Sequence, residues 1–230
     1  MNITLIILGV VILILLYILY TYYSKSTTTL ISTASLKATN PPITSVANAT
    51  NTRYAYGIWV YVNSWDTNAQ KVIFSRNNNI SVSLDTLTPS LYCNVIMSDN
   101  VTEKKVLVTD NFPLQKWVFV IVSLDNQFLD CYIDGKLIKS SRLGTSSLIP
   151  ATPPDEKTPI ILGGLTSKMT PFDAVVAKFS RWTVPMDPTT AWNTYMAGNG
   201  GSVLGNNVSS FGANVSILKN NIEYSKMTLF

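Results

Sequence analysis

The chain has 230 residues, 47% of them hydrophobic and only 13% charged, with 17 basic against 13 acidic side chains and no histidine. A charged fraction about half that of an average soluble domain implies a membrane segment beside one ordinary domain. The missing histidine excludes Ser-His-Asp and Cys-His nucleophile systems, His-ligated zinc and the two-His-one-carboxylate iron site.

The three glutamates, Glu103, Glu156 and Glu223, are far apart, which leaves acid-base chemistry to scattered aspartates. The basic surplus is local: residues 1–65 hold Lys25, Lys37 and Arg53 and no acid, and the rest of the chain is nearly neutral. Nucleic-acid binding needs a basic stripe with interleaved aromatics, and the nearest approach is Lys104-Lys105 beside Glu103, so no nucleic-acid partner is expected.

Ile3 to Tyr23 carries no charge, and as a helix it would extend about 31 Å, matching a hydrocarbon core of about 30 Å. The residues that would face lipid are Ile3, Leu5, Ile6, Ile7, Leu8, Val10, Val11, Ile12, Leu13, Ile14, Leu15, Leu16, Tyr17, Ile18, Leu19 and Tyr20. Tyr17, Tyr20, Tyr22 and Tyr23 gather at one end before Lys25, the aromatic belt and charged stop of a helix leaving the bilayer. A cleaved signal peptide would want a basic leader, a shorter apolar run and small residues at its cleavage site. YTYYSKS offers none, so residues 1–23 are expected to stay as a single-pass anchor.

Lys25 and Lys37 place the body on the cytosolic side. Six N-x-[ST] sequons, at Asn2, Asn48, Asn79, Asn100, Asn207 and Asn214, would argue for the opposite side. With 20 Asn and 48 Ser plus Thr in the chain, however, six is close to chance.

Residues 24–53 are Ser/Thr-rich, 13 of 30, with Pro41-Pro42 in the middle and no apolar period. They read as a flexible tether able to reach up to about 100 Å.

From Tyr54 onward the pattern is short β-branched and aromatic runs broken by Asn, Asp, Gly and Pro. Strands are expected at 54–62, 71–75, 80–84, 91–98, 105–109, 117–124, 128–133, 136–140, 159–162 and 174–182. Both faces of the first are apolar or aromatic, so one belongs in a sandwich core and the other under a loop, tail or partner. This many strands at this spacing predict an all-β, two-sheet antiparallel jelly-roll-like sandwich. Cys93 and Cys131 lie in apolar runs without CxxC spacing and read as two buried thiols, or else as one inter-strand disulfide. Residues 198–230 open on GNGGSVLGNN and continue with two candidate strands, Asn214 to Lys219 and Glu223 to Leu229.

Asp134-Gly135 between FLDCYI and KLIKSS is the signature of a two-residue type I′ hairpin. Its neighbours fall in order: Trp117-Val118-Phe119-Val120-Ile121-Val122, an Asp125-Asn126 turn, Tyr132-Ile133-Asp134-Gly135-Lys136, Ile161-Leu162-Gly163-Gly164, then Phe172. This order resembles the laminin G-like, concanavalin A-like sandwich family over about residues 54–197. Met186-Asp187-Pro188-Thr189 leading into Ala191-Trp192-Asn193-Thr194-Tyr195 looks like that family's closing helical turn. The resemblance implies structural roles for Trp117, Tyr132, Asp134, Gly135, Gly163, Gly164 and Phe172. Where the family usually has Gly after its Phe-x pair, this chain reads Phe172-Asp173-Ala174, which places the ligand-approaching edge in question.

Glycosidases of this fold carry E-x-D-x-x-E on one strand, and no two glutamates here lie near each other. Asp130 and Asp134 are the one tempting pair, but Asp134 is committed to the turn, so no enzyme activity is expected. Calcium is common among relatives of this kind, yet no EF-hand-like loop appears. Asp66, Asp85, Asp99 and Asp110 read as turn residues, and no cofactor or metal is expected. The Gly163-Gly164 pair lacks a P-loop or Rossmann context. Trp65, Trp117, Trp182 and Trp192 read as core rather than as a sugar-stacking platform.

One N-terminal span joined to a laminin G-like domain, rich in Asn, Ser and Thr and poor in cysteine, is similar in style to virion proteins of large cytoplasmic DNA viruses. That resemblance implies a structural minor capsid protein tying an internal membrane to a shell, with the bilayer and other capsid proteins as partners. The alternative is a membrane-anchored surface lectin or adhesin that binds carbohydrate.

Overall fold

The computed structural model describes residues 3–23, 27–67, 70–145, 147–163, 171–199, 214–219 and 222–228. The side chains of 3–7, 20–23, 214–219 and 222–228 are outside that description. The chain opens with α1 (Ile3–Tyr23) and continues through β1 (Thr27–Ser35), β2 (Arg53–Val62), β3 (Lys71–Arg76), β4 (Ile80–Leu84), β5 (Leu91–Ile96), β6 (Glu103–Thr109) and β7 (Trp117–Asp125). It goes on with β8 (Phe128–Ile133), β9 (Lys136–Arg142), β10 (Ile160–Leu162), β11 (Ala174–Trp182), α2 (Pro188–Met196), β12 (Asn214–Lys219) and β13 (Ile222–Thr228). Two antiparallel sheets face each other: a six-stranded one in the order β1-β11-β2-β7-β8-β9 and a five-stranded one in the order β10-β3-β4-β5-β6. The strands β12 and β13 pair with one another.

Alternation decides what is buried. The even residues of β2, Tyr54, Tyr56, Ile58, Val60 and Val62, point between the sheets and meet Phe74, Val82 and Cys93 from the five-stranded sheet. The odd residues Ala55 and Trp59 form a second apolar cluster on the outer face with Phe119, Ile121, Tyr132, Trp182 and Ala191. That face lies under α2, so the two-sided strand is covered by the chain itself. Trp59 stacks on Phe119 at 5.0 Å and on Tyr195 of α2 at 5.6 Å between ring centres. The connection into α2 is tied down by Tyr132 Oη donating to Met186 O at 3.1 Å and by Met186 N donating to Ser123 Oγ at 2.8 Å.

Both ends of α2 are capped. Asp187 is its N-cap, with Pro188 at the first helical position, where a missing N–H costs nothing. Hydrogen bonds from Thr190, from its side chain and its backbone N–H, hold the Asp187 carboxyl below the usual carboxylate range. At the other end a bulge in β11 puts Lys178 at φ 45° and aims its Nζ at the carbonyl of Gly198, 2.8 Å away. A carboxyl whose pKa is depressed on folding stabilises the fold above its unfolded pKa and loses that contribution as pH falls through the folded value. Asp187→Ala is therefore expected to cost about 1 kcal/mol near neutral pH, with the gap to wild type closing in acid, as read by urea unfolding at the two pH values.

Residues 24–53 do not form a tether as a whole. Thr27–Ser35 is an edge strand paired along β11, Leu36 is fully buried, and Ile43 bridges to Ile160 of β10. The β-branched threonines suit a half-exposed edge. The register shifts between Thr29 and Ile31, so Leu30, Ile31 and Ala34 all reach the core without period-two spacing. Two buried arginines hold the rest of this segment. Arg181 donates to the carbonyls of Ala47 and Asn48 and lies over the rings of Tyr54 and Tyr56, and Arg76 donates to Ala49 O at 3.0 Å. The sandwich therefore begins at residue 27 rather than at 54.

In α1, side chains are described from Leu8 to Leu19 and all are exposed. Counted over the residues whose side chains are described, which in α1 are 8–19, no helix is long and apolar enough to cross a membrane.

Cys93 of β5 and Cys131 of β8 are both free and buried, one from each sheet. The neighbouring Cys131 thiol and burial push the Cys93 thiol well above its usual range. Neither thiol is expected to react with a water-soluble disulfide reagent until the domain unfolds, so labelling in native buffer should be nil and in denaturant stoichiometric.

Candidate functional site

With α2 over the six-stranded sheet, the outer face of the five-stranded sheet is the open one. A groove of about 600 Å³ runs across it, floored by Ser75, Ser81, Asn94, Ile96 and Ile161 and closed by Glu103 on one side and Lys157–Pro159 on the other. The wall is fixed in place by Arg76, whose Nη2 donates to Pro154 O at 2.9 Å and to Asp155 O at 2.8 Å. Asn94 Oδ1 is buried at the floor with no hydrogen-bond partner among the described residues. The lining is hydroxyl, amide and aliphatic with the charged Arg76, Glu103 and Lys157 at its edges, and it has no aromatic ring on which a sugar could stack.

A second groove of about 350 Å³ lies where β6 and β9, edge strands of the two sheets, approach each other. Lys104, Lys105, Lys139 and Arg142 line it, with Lys105 Nζ also 3.9 Å from the centre of the Tyr92 ring. The sequence displays the Lys104-Lys105 half of this cluster. The other half arrives from β9 only through the sandwich fold.

The family-motif residues take structural positions. Trp117 packs against Tyr61, their ring centres 5.5 Å apart, and Phe172 is buried in the core. Gly163 has φ 68° and donates from its N–H to Ile73 O at 3.0 Å. Gly164 lies outside the described residues. Asp134 and Gly135 have φ of 49° and 75°, as a type I′ turn requires. Neither carboxylate oxygen of Asp134 is idle: Oδ1 accepts from Phe119 N at 2.9 Å and Oδ2 lies 3.5 Å from Lys116 Nζ.

Asp173, at the departure from the family pattern, accepts from Asn63 Nδ2 and Ser64 Oγ, each at 3.0 Å. These bonds hold its carboxyl below the usual range and tie the end of β2 to the start of β11. Trp182 is buried beside Gly57, where an added Cβ would meet its ring at 2.8 Å. Trp65 is half-buried under Lys71 Nζ, which lies 4.2 Å from its ring centre, and Trp192 is exposed on α2. Among the described residues no group of three or more Cys, Asp or Glu side chains could hold a metal ion. The sequon residue Asn79 is buried with its Oδ1 accepting from Tyr54 Oη at 3.1 Å, a position with no room for a glycan.

No curated protein sequence matches this chain. Among solved structures, the receptor binding domain of botulinum neurotoxin mosaic serotype C/D is similar at 13% identity and a TM-score of 0.51, over 64% of this chain and 36% of that one. The binding domain of botulinum neurotoxin DC, solved with rat synaptotagmin II, is similar at 16% identity and a TM-score of 0.48, over 65% of this chain and 37% of that one. The chain thus spans little more than a third of those proteins, and what it shares with the mosaic serotype C/D domain is the fold. A family profile, that of the concanavalin A-like lectin/glucanases superfamily, matches residues 34–191. The match begins inside β1 and ends inside α2, and it takes in the sandwich with its Asp134-Gly135 hairpin: the chain belongs to the concanavalin A-like lectin/glucanase superfamily.

Proposed function

We propose that this chain is a non-catalytic, single-pass membrane protein in which α1 is the anchor and the sandwich is a structural link to other proteins. The observation that carries the reading is α1 itself. It is a helix of 21 uncharged residues, and every described side chain from Leu8 to Leu19 is exposed, with no face covered by the sandwich. A helix that is apolar all round and uncovered by protein finds its favourable surroundings in lipid. In its finer form the proposal is a minor capsid protein joining a virion's internal membrane to the shell, its body on the cytosolic side during assembly. Two free cysteines and the bases following α1 support that sidedness.

The second reading, a membrane-anchored lectin or adhesin, is favoured by the groove on the five-stranded sheet and the unpartnered Asn94 carbonyl at its floor. Residues 27–230 on a saccharide array separate the two. The structural reading expects no hit, together with co-purification of the full chain with shell proteins from detergent-solubilised particles. A saccharide bound at millimolar or better affinity and lost on Asn94→Ala would favour the lectin.

A further inference from the structure

The short join between helix and sandwich limits how far the domain can stand from α1. The helix α1 ends at Tyr23 and β1 begins at Thr27, so the four peptide steps between them reach at most about 15 Å even when fully extended. Thr27 is held that close to whatever surrounds the end of α1, and the end of the sandwich that carries Thr27 is the end nearest the helix. Register lays out that end across the sheet: Thr27 pairs with Trp182, Trp182 with Ala55, Arg53 with Asp125, Asp125 with Phe128, and Phe128 with Arg142. From the other sheet, the turn after β5 joins the same end. Ser98 N donates to Ile149 O at 2.8 Å, and Ile149 lines a small cavity with Thr52, Asn126 and Gln127.

Four large apolar side chains protrude at this end from four separate segments: Val101, 84% exposed, Phe128 at the start of β8, 52% exposed, Ile149 and Val184. One exposed apolar residue is ordinary, but four sharing the end nearest an apolar helix offer that end to lipid. The charges there nearly cancel. Arg53 pairs with Asp125, Asp99 accepts from the backbone N–H groups of Val101 and Thr102, and Glu103, Asp155 and Glu156 offset Lys104, Arg142 and Lys157. Contact at this end is therefore apolar in character rather than electrostatic. At the far end, Leu87 and Leu114 are exposed on loops joined by Phe112 N donating to Pro89 O at 2.6 Å.

We infer that the sandwich stands end-on on the bilayer, with Val101, Phe128, Ile149 and Val184 seated at the headgroup–acyl boundary and the Leu87–Leu114 end directed away. This rests on the anchored reading of α1.

The test uses the full chain in vesicles of phosphatidylcholine with a minority of phosphatidylglycerol. Val101→Cys, Phe128→Cys, Leu87→Cys and Leu114→Cys are each labelled with a fluorophore in native buffer, where the buried Cys93 and Cys131 do not compete. Brominated lipids that quench near the headgroups are expected to reduce emission about twofold at 101 and 128 and to leave 87 and 114 unchanged. If the chain floats with the vesicles but all four labels respond alike, the end-on seating is overturned and the anchor stands. If the chain does not float, the anchored reading fails and the seating fails with it.

Discussion

Gly135→Val is expected to be the most disruptive single substitution in the sandwich. Gly135 has φ 75°, a conformation in which a β-branched side chain is strained by about 1–3 kcal/mol. The second penalty comes from packing. A Cβ at this position would lie 3.0 Å from Trp192 Cα and 3.0 Å from Tyr195 Cβ, so the hairpin could accept it only by displacing α2. Overpacking of that kind adds about 1–3 kcal/mol more, and α2 is what covers Trp59 and Phe119 on the outer face. Urea unfolding should show an unfolding free energy lowered by the sum, about 2–6 kcal/mol. Gly135→Asn, which tolerates the backbone conformation, should recover the strain component alone. A valine variant as stable as wild type would remove the type I′ assignment.

Arg76→Ala comes next, with an expected cost of about 3–5 kcal/mol, since each buried carbonyl left without a donor costs about 1–3 kcal/mol and water recovers part of the sum. Its side chain is 2% exposed and donates to four carbonyls, those of Ala49, Pro154, Asp155 and Thr158, which come from two separate loops. Deleting it leaves buried acceptors unsatisfied and frees both the segment before β2 and the wall of the groove. Arg76→Lys keeps the charge but cannot reproduce the planar fork, so it should recover only part of the loss. An unchanged unfolding midpoint for Arg76→Ala would show that these loops hold without the clamp.

Much of this sandwich was legible in the sequence because alternation and turn chemistry are local. Tyr54 to Val62 announces its two buried faces by apolar residues at every position, and Asp134-Gly135 fixes a hairpin by the φ angles it allows. The strand Thr27–Ser35 was not legible. Its apolar residues Leu30, Ile31 and Ala34 follow a bulge rather than a two-residue period, and its threonines read as tether composition. Arg76 and Arg181 give no sequence signal as buried clamps, since their partners are backbone carbonyls that any residue supplies. The grooves were hidden for a similar reason: Asn94 and Lys157, or Lys104 and Arg142, meet only after both sheets have closed.

The central claim is that one helix anchors a sandwich able to stand without it, and flotation with alkaline extraction tests it most directly. The full chain and residues 27–230, which keep β1, would each be expressed, and the membranes floated and then washed with carbonate. The account predicts that the full chain floats and resists carbonate, whereas residues 27–230 stay in the soluble fraction with a β-rich spectrum and a cooperative unfolding transition. Carbonate release of the full chain, or flotation of residues 27–230 to the same extent, would contradict it.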